Sequence, residues 1–242
     1  MNNIIGRNAV IEALKSERQV SKLTIANGAE GSIKKIVAIA REKNIPIDFK
    51  DRNIIDKMAE NGVHQGVIAQ VSEYTYCEVE DILDKAKAKG EAPFVIILDG
   101  LEDPHNLGAI MRTADCAGAH GIIIPKRRAV DITKTVVKAS AGAVEHVLCA
   151  KVSSIANTIE KLKDHGLWIG ACDMNDVSYT KQDLTGNIAL VVGGEGIGVS
   201  KLVKEKSDFV LSIPMKGEIT SLNASNAAAI LMYEVVRQRD GK

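Results

Sequence analysis

The sequence predicts an α/β protein built on a mostly parallel sheet and preceded by a smaller α/β unit. Three observations carry this. From Pro93 onward, strand-length apolar runs alternate with helical-period segments. Runs such as Val95-Ile96-Ile97-Leu98 and Ala189-Leu190-Val191-Val192 are apolar throughout, as strands covered on both faces must be. Between the two halves, residues 72–92 turn acidic and then Lys-Ala-rich, which marks a linker with one exposed helix. A length of 242 residues suits a small domain plus a medium one.

In the first segment (1–71), Gly6 to Lys15 has a helical pattern and Lys22 to Ala26 is strand-like. Ser32 to Glu42 is helical, with Ile33, Ile36, Val37 and Ala40 on one face. Ile45 to Phe49 reads as a short strand and Ile54 to Glu60 as a short helix. A last strand, Gly66 to Val71, is entered through the His64-Gln65-Gly66 turn. In the second segment (93–242), strands are expected at Phe94–Leu98, Gly121–Ile124, Val147–Lys151, Leu167–Ala171, Ile188–Val192 and Phe209–Ile213. Helices are expected at Leu107–Ala117, Asp131–Ser140, Ser154–His165, Ser200–Lys206 and Asn223–Arg237.

Composition narrows the function. With 45% hydrophobic and 26% charged residues the chain buries a real core and is not disordered. No apolar run approaches the ~20 residues that span a bilayer, and no signal-peptide h-region is visible. The expectation is a cytoplasmic protein with no membrane partner. Cys77, Cys116, Cys149 and Cys172 form no CxxC pair, which signals neither a metal site nor a disulfide framework. An aromatic content of 3% argues against a stacking platform for many bases.

Thirty-one basic and thirty-one acidic residues cancel, yet not locally. Residues 1–71 carry eleven Lys/Arg against eight Asp/Glu, and residues 125–138 carry five against one. Screening limits a charge to about 8–10 Å, so such patches can bind phosphate whatever the total. Arg7, Lys15, Arg18, Lys22, Lys34, Lys35, Lys126, Arg127 and Arg128 are the candidate phosphate contacts, with Asn8 placed to cap or to meet a base edge.

Parallel sheets bind ligands beyond the carboxyl ends of their strands, and three loops there are unusual. After Leu98, the Asp103-Pro104 turn precedes Asn106, a suitable helix cap, and Arg112 sits among small and apolar neighbours. A guanidinium there must reach an anion or be paired, with Asp115 three residues on as the structural alternative. After Val192, Gly193-Gly194-Glu195-Gly196-Ile197-Gly198 surrounds one carboxylate with four glycines. It fits no G-x-G-x-x-G register, but such a loop lets peptide groups approach a ligand closely. After Ile213, Ser221, Asn223, Ser225 and Asn226 open an Ala-rich helix, more polar groups than one cap requires.

These three motifs, in this order and spacing, resemble those of the SpoU (TrmH) RNA 2′-O-ribose methyltransferases over residues 93 to 239. Residues 1–71, with Gly6-Arg7-Asn8-Ala9-Val10 and His64-Gln65-Gly66-Val67, resemble the ribosomal-protein-L30-like substrate-binding domain of the two-domain members. The resemblance implies a trefoil-knotted methyltransferase domain of the SPOUT type, a homodimer through that domain, and S-adenosylmethionine as methyl donor. It implies cofactor contacts at Gly193, Gly194, Gly196, Ile213, Met215 and Leu222, and an active site of Asn106, Arg112, Glu195, Ser221 and Asn223. With no Cys/His ligand cluster in the sequence, no metal requirement is expected.

The family's proposed general base falls on Arg112, but a guanidinium with a pKa above 12 resists deprotonation. Gripping a phosphate or the developing alkoxide is the role its chemistry supports. The two-domain layout most resembles enzymes that modify a guanosine of 23S ribosomal RNA, with tRNA the alternative substrate. A non-catalytic RNA-binding relative is disfavoured because all five polar positions are filled. A small-molecule methyltransferase would leave the first domain unexplained.

Overall fold

The computed structural model describes residues 2–60, 62–174 and 177–241. The chain divides into two compact units: Met1–Thr75 with Ile132–His146, and Tyr76–Asp131 with Val147–Lys242.

The first unit holds a four-stranded mixed sheet made of β1 (Asn2–Ile5), β2 (Val20–Ala26), β3 (Ile47–Lys50) and β4 (Val67–Val71), in the order β1-β4-β2-β3. Helices α1 (Arg7–Lys15), α2 (Ile33–Glu42) and α3 (Arg52–Met58) connect the strands. β1 was not expected from its sequence: four residues are too few to show a period, and pairing with β4 decides its state. The 132–146 excursion, with α6 (Lys134–Ala139), also belongs to this unit. Val136, Val137, Ala143 and Val144 are buried within it.

Two expectations are corrected here. Residues 1–71 are not a module hung on one flexible linker, because the chain passes between the units at 75/76, 131/132 and 146/147. The helix expected to be exposed in the 72–92 stretch is α4 (Val79–Lys89), and its Val79 and Ile82 sit in the core of the second unit. A Cβ at Gly121 would lie 2.6 Å from Ile82, so a glycine there admits the helix. Three apolar positions in a Lys-Ala-rich segment carried too little signal to show that face.

Arg18 is a further correction, among the charges. Its side chain is 8% exposed, and its Nη1 donates to Glu145 Oε1 at 2.7 Å. Its Nε and Nη2 both donate to the Ser72 carbonyl, and Ser16 Oγ donates to Glu145 Oε2. It is a buried fastener of the 132–146 excursion and leaves the set of phosphate contacts. Sequence separation hid its partner.

The second unit is a six-stranded, all-parallel sheet: β5 (Phe94–Asp99), β6 (Gly121–Pro125), β7 (Leu148–Val152), β8 (Trp168–Cys172), β9 (Ile188–Gly193) and β10 (Phe209–Leu211). Their order is β10-β8-β9-β5-β6-β7. Helices α5 (Pro104–Cys116), α7 (Ile155–Asp164), α8 (Lys201–Lys206) and α9 (Ala224–Asp240) join or follow the strands. All six expected strands form, within two residues at each end. β5 and β9 are neighbours, but the chain leaves them toward opposite edges of the sheet. That is a topological switch point, where an open α/β sheet leaves a crevice at its carboxyl edge.

The far end of α9 is pinned to the start of β5. Arg239 donates to the carbonyls of Ala92, Pro93 and Gly186 and stacks 5.3 Å from the Phe94 ring centre. Glu145→Ala should expose the cost of the buried ion pair. It strands the Arg18 guanidinium and should lower stability by about 3–5 kcal/mol, read as a drop in the urea midpoint. Arg18→Met combined with Glu145→Leu should recover most of the loss.

Candidate active site

The register of β5 on β9 sets Asp99 opposite Gly193, so the two loops that leave these strands run side by side. Gly194 N–H donates to the Asp99 carbonyl at 3.0 Å, and Ser200 N–H donates to Asp99 Oδ2 at 2.8 Å. A Cβ at Gly194 would stand 2.3 Å from the Gly100 carbonyl oxygen. One at Gly193 would meet the Gly198 carbonyl carbon at 2.0 Å. These two glycines therefore serve backbone-on-backbone packing of the loop itself. Gly196 and Gly198 have φ of +80° and +69°, where a side chain is strained. The glycine density that suggested room for a ligand is first a requirement of the fold.

Asn106 is not the helix cap expected of it. Asp103 caps α5, accepting from His105 N–H at 2.9 Å, with Pro104 in the first turn. Asn106 lies inside the helix, 4% exposed, and is free to look inward. Its Nδ2 donates to Glu195 Oε1 at 2.8 Å. Asn223 Nδ2 donates to the same oxygen at 2.8 Å and to Asn106 Oδ1 at 2.9 Å. Asn223 also caps α9, its Oδ1 accepting from Ser225 N–H and Ser225 Oγ. One carboxylate oxygen thus ties together all three unusual loops.

Beside this trio lies a cavity of about 560 Å³. Gly193, Gly194, Gly196, Ile213, Met215 and Leu222 all line it, as do Glu195, Ser221 and Asn223. The volume suits a nucleoside-sized ligand, and the walls mix apolar side chains with peptide groups. The sequence reading missed Cys172, Asp173 and Met174, which line it from the end of β8. The rule that picked the other loops, the carboxyl end of a strand, would also have picked this one. Burial pushes the Cys172 thiol up to about 11, so it stays protonated. Desolvation alone would raise the Asp173 carboxyl; the Lys204 ammonium bonded to it reverses this and holds it below its ordinary value.

Arg112 is brought to neither this cavity nor its neighbour. It is exposed on α5 and makes no hydrogen bond or ion pair among the described residues, not even with Asp115. Lys126, Arg127 and Arg128 are likewise exposed. Arg7 donates through Nε to the Gln65 carbonyl, and Asn8 is exposed. Lys15 pairs with Glu12, and Lys22 with Asp48. No group of three or more metal-ligating side chains is found among the described residues. No described helix is long and apolar enough to cross a membrane.

Comparison with known proteins agrees with this geometry. Residues 93–233 match the SpoU rRNA Methylase family, and residues 3–77 match the RNA 2′-O ribose methyltransferase substrate-binding family. YacO of Bacillus subtilis, named as a TrmH family tRNA/rRNA methyltransferase, is 50% identical over 98% of this chain and 96% of its own. The SpoU methyltransferase AviRb from Streptomyces viridochromogenes, solved in complex with AdoMet, superposes with a TM-score of 0.84. That match is 24% identical and covers 99% of this chain and 91% of AviRb. An rRNA methyltransferase from Sinorhizobium meliloti gives 0.80 at 25% identity, over 97% and 86% of the two chains. The chain belongs to the SpoU (TrmH) family of RNA methyltransferases.

Gly194→Ala tests the backbone contact. Its methyl group must displace the Gly100 carbonyl, so stability should fall by about 1–3 kcal/mol in thermal unfolding. Gly196→Ala meets no neighbour and should cost about 1 kcal/mol, from its positive φ alone.

Proposed function

We propose that this protein transfers a methyl group from S-adenosylmethionine to a ribose 2′-hydroxyl of RNA, with a guanosine of 23S ribosomal RNA as its target. The observation that carries this reading is the Asn106–Glu195–Asn223 trio, two of whose members, Glu195 and Asn223, line a nucleoside-sized cavity at the sheet's switch point. When bound, S-adenosylmethionine supplies an electrophilic methyl carbon. The cavity fits it: Ile213, Met215 and Leu222 offer apolar walls, and the glycine loop offers bare peptide groups.

A ribose hydroxyl is a weak nucleophile, so alignment and proton removal are the protein's task. Glu195 holds both Asn side chains in fixed orientation, which leaves Ser221 and the Asn groups to orient the ribose. Arg112 lines neither of the two cavities at the site, which favours the grip on a phosphate over contact with the developing alkoxide. Arg7, Asn8, Lys15, Lys22, Lys126, Arg127 and Arg128 serve RNA capture. Lys15 and Lys22 do so by exchanging a surface carboxylate for phosphate, an exchange of small cost.

Pairing of two chains through the catalytic domain, and the C-terminal trefoil knot, belong to the same reading. α5 packs along α9, and Tyr233 of α9 is 50% exposed, an aromatic surface that a second copy would cover. The ribosomal target draws support from the likeness along nearly the whole chain to an rRNA methyltransferase, substrate-binding unit included.

The deciding experiment is nucleotide-resolution mapping of ribose methylation in total RNA from cells lacking this protein. One 2′-O-methylguanosine should vanish from large-subunit rRNA; an unchanged map would reject the function, and a loss in tRNA would reject the target. Arg112→Ala should lower turnover by about 10²–10³-fold with the calorimetric affinity for S-adenosylmethionine unchanged. Arg112→Lys should rescue poorly, because a point charge does not reproduce the planar fork. EDTA should change neither measurement.

A further inference from the structure

A second cavity, of about 600 Å³, shares the glycine loop with the first. Asn106, Gly194, Glu195, Ile197 and Gly198 stand in its lining, and all but Asn106 also line the first cavity. The two cavities therefore adjoin along the glycine loop, and Glu195, which accepts from Asn106, lines both. The second chamber opens over the carboxyl ends of β5 and β6 and the start of α7.

Its polar groups fall into two kinds. Arg127 and Arg128 are exposed, neither has a partner among the described residues, and Ile155 and Ala156 bring first-turn peptide groups of α7 to the lining. The N–H groups of a first helical turn have no acceptor within the helix and favour an anion. Four carboxylates also face the chamber. Asp99 is occupied by Ser200 N–H, Asp103 by His105 N–H, and Glu195 by two side-chain amides. Glu102 alone has no partner among the described residues.

A carboxylate only accepts, so it repels phosphate and selects a group that presents N–H donors. Among the four RNA bases, only guanine carries two adjacent N–H donor groups, N1–H and N2–H, on its Watson–Crick edge. Unstacked RNA bases are read on that edge. A free carboxylate and two free guanidinium groups in one chamber therefore match the two ends of a nucleotide.

We propose that the second cavity is the acceptor-nucleotide site, in which Glu102 pairs with the N1–H and N2–H of a guanine while Arg127 and Arg128 hold a phosphate of the same strand. This rests on the ribose-methylation reading above. It extends that reading by naming the residues that choose the base, with the ribose reaching the first cavity beside Glu195, which lines both cavities. Guanosine selection then resides in the catalytic unit.

The test uses the full-length protein, tritiated S-adenosylmethionine and total RNA from cells lacking the gene, with the labelled RNA digested to nucleosides. Wild type should label 2′-O-methylguanosine. Glu102→Ala should lower kcat/KM for RNA about 10–100-fold, the worth of hydrogen bonds to a charged group, while S-adenosylmethionine affinity holds. Arg127→Ala and Arg128→Ala should each raise KM with kcat held, and each should flatten the salt dependence of RNA binding by about 0.7 log units per decade. If guanosine is labelled and Glu102→Ala matches wild type, the cavity assignment is overturned and ribose methylation stands. Label on another nucleoside overturns the pairing with guanine. No label in RNA at all overturns both this proposal and the reading beneath it.

Discussion

A single carboxylate oxygen, Glu195 Oε1, accepts amide hydrogen bonds from Asn106 and Asn223, and three otherwise separate loops converge on it. Few arrangements of these loops would satisfy it. Asn106 is nearly fully buried, and a buried amide without its acceptor costs about 1–3 kcal/mol. The bond between Asn223 and Asn106 closes the triangle, so neither amide can turn without breaking two contacts. The consequence is a preorganised polar corner with little freedom to relax when a ligand arrives.

The corner can form only because the backbone beneath it is packed without side chains. Gly193 and Gly194 press against Gly198 and Gly100 at distances no Cβ tolerates, and the N–H of Gly194 is bonded to the end of β5. That fixes the position of the glycine loop, which contributes to the lining of both cavities. Methyl transfer from sulfur to oxygen needs donor and acceptor in line, approaching from opposite sides of the reacting carbon.

Three covalent passages and a buried Arg18–Glu145 pair make the 132–146 excursion part of the substrate-binding unit, although its sequence lies between two strands of the catalytic sheet. A charge pair of this kind contributes little net stability against apolar replacements, but it punishes loss of either member. Within the first unit it fastens the 132–146 excursion to the end of α1.

The sequence by itself determined the α/β class, the six strands of the catalytic sheet and the three loops of the site. Apolar runs covered on both faces and dense Gly, Asn and Ser clusters are local patterns that no distant contact is needed to read. Every residue of the trio could be named from them, and the family resemblance they carry named six positions that line the first cavity. Partners far apart in sequence were decided only by tertiary structure: Arg18 and Glu145 are separated by 127 residues, and Asn106 and Asn223 by 117. Asn106 looked like a cap because a cap is what an Asn before a helix commonly is; Asp103 took that place, and burial turned Asn106 to the site. α4 looked exposed because its apolar face is three residues wide, and only the sheet it lies on reveals that they are core. Local composition fixes what a segment can form, whereas which groups meet depends on loop closure across the whole chain, for which a linear pattern carries no sign.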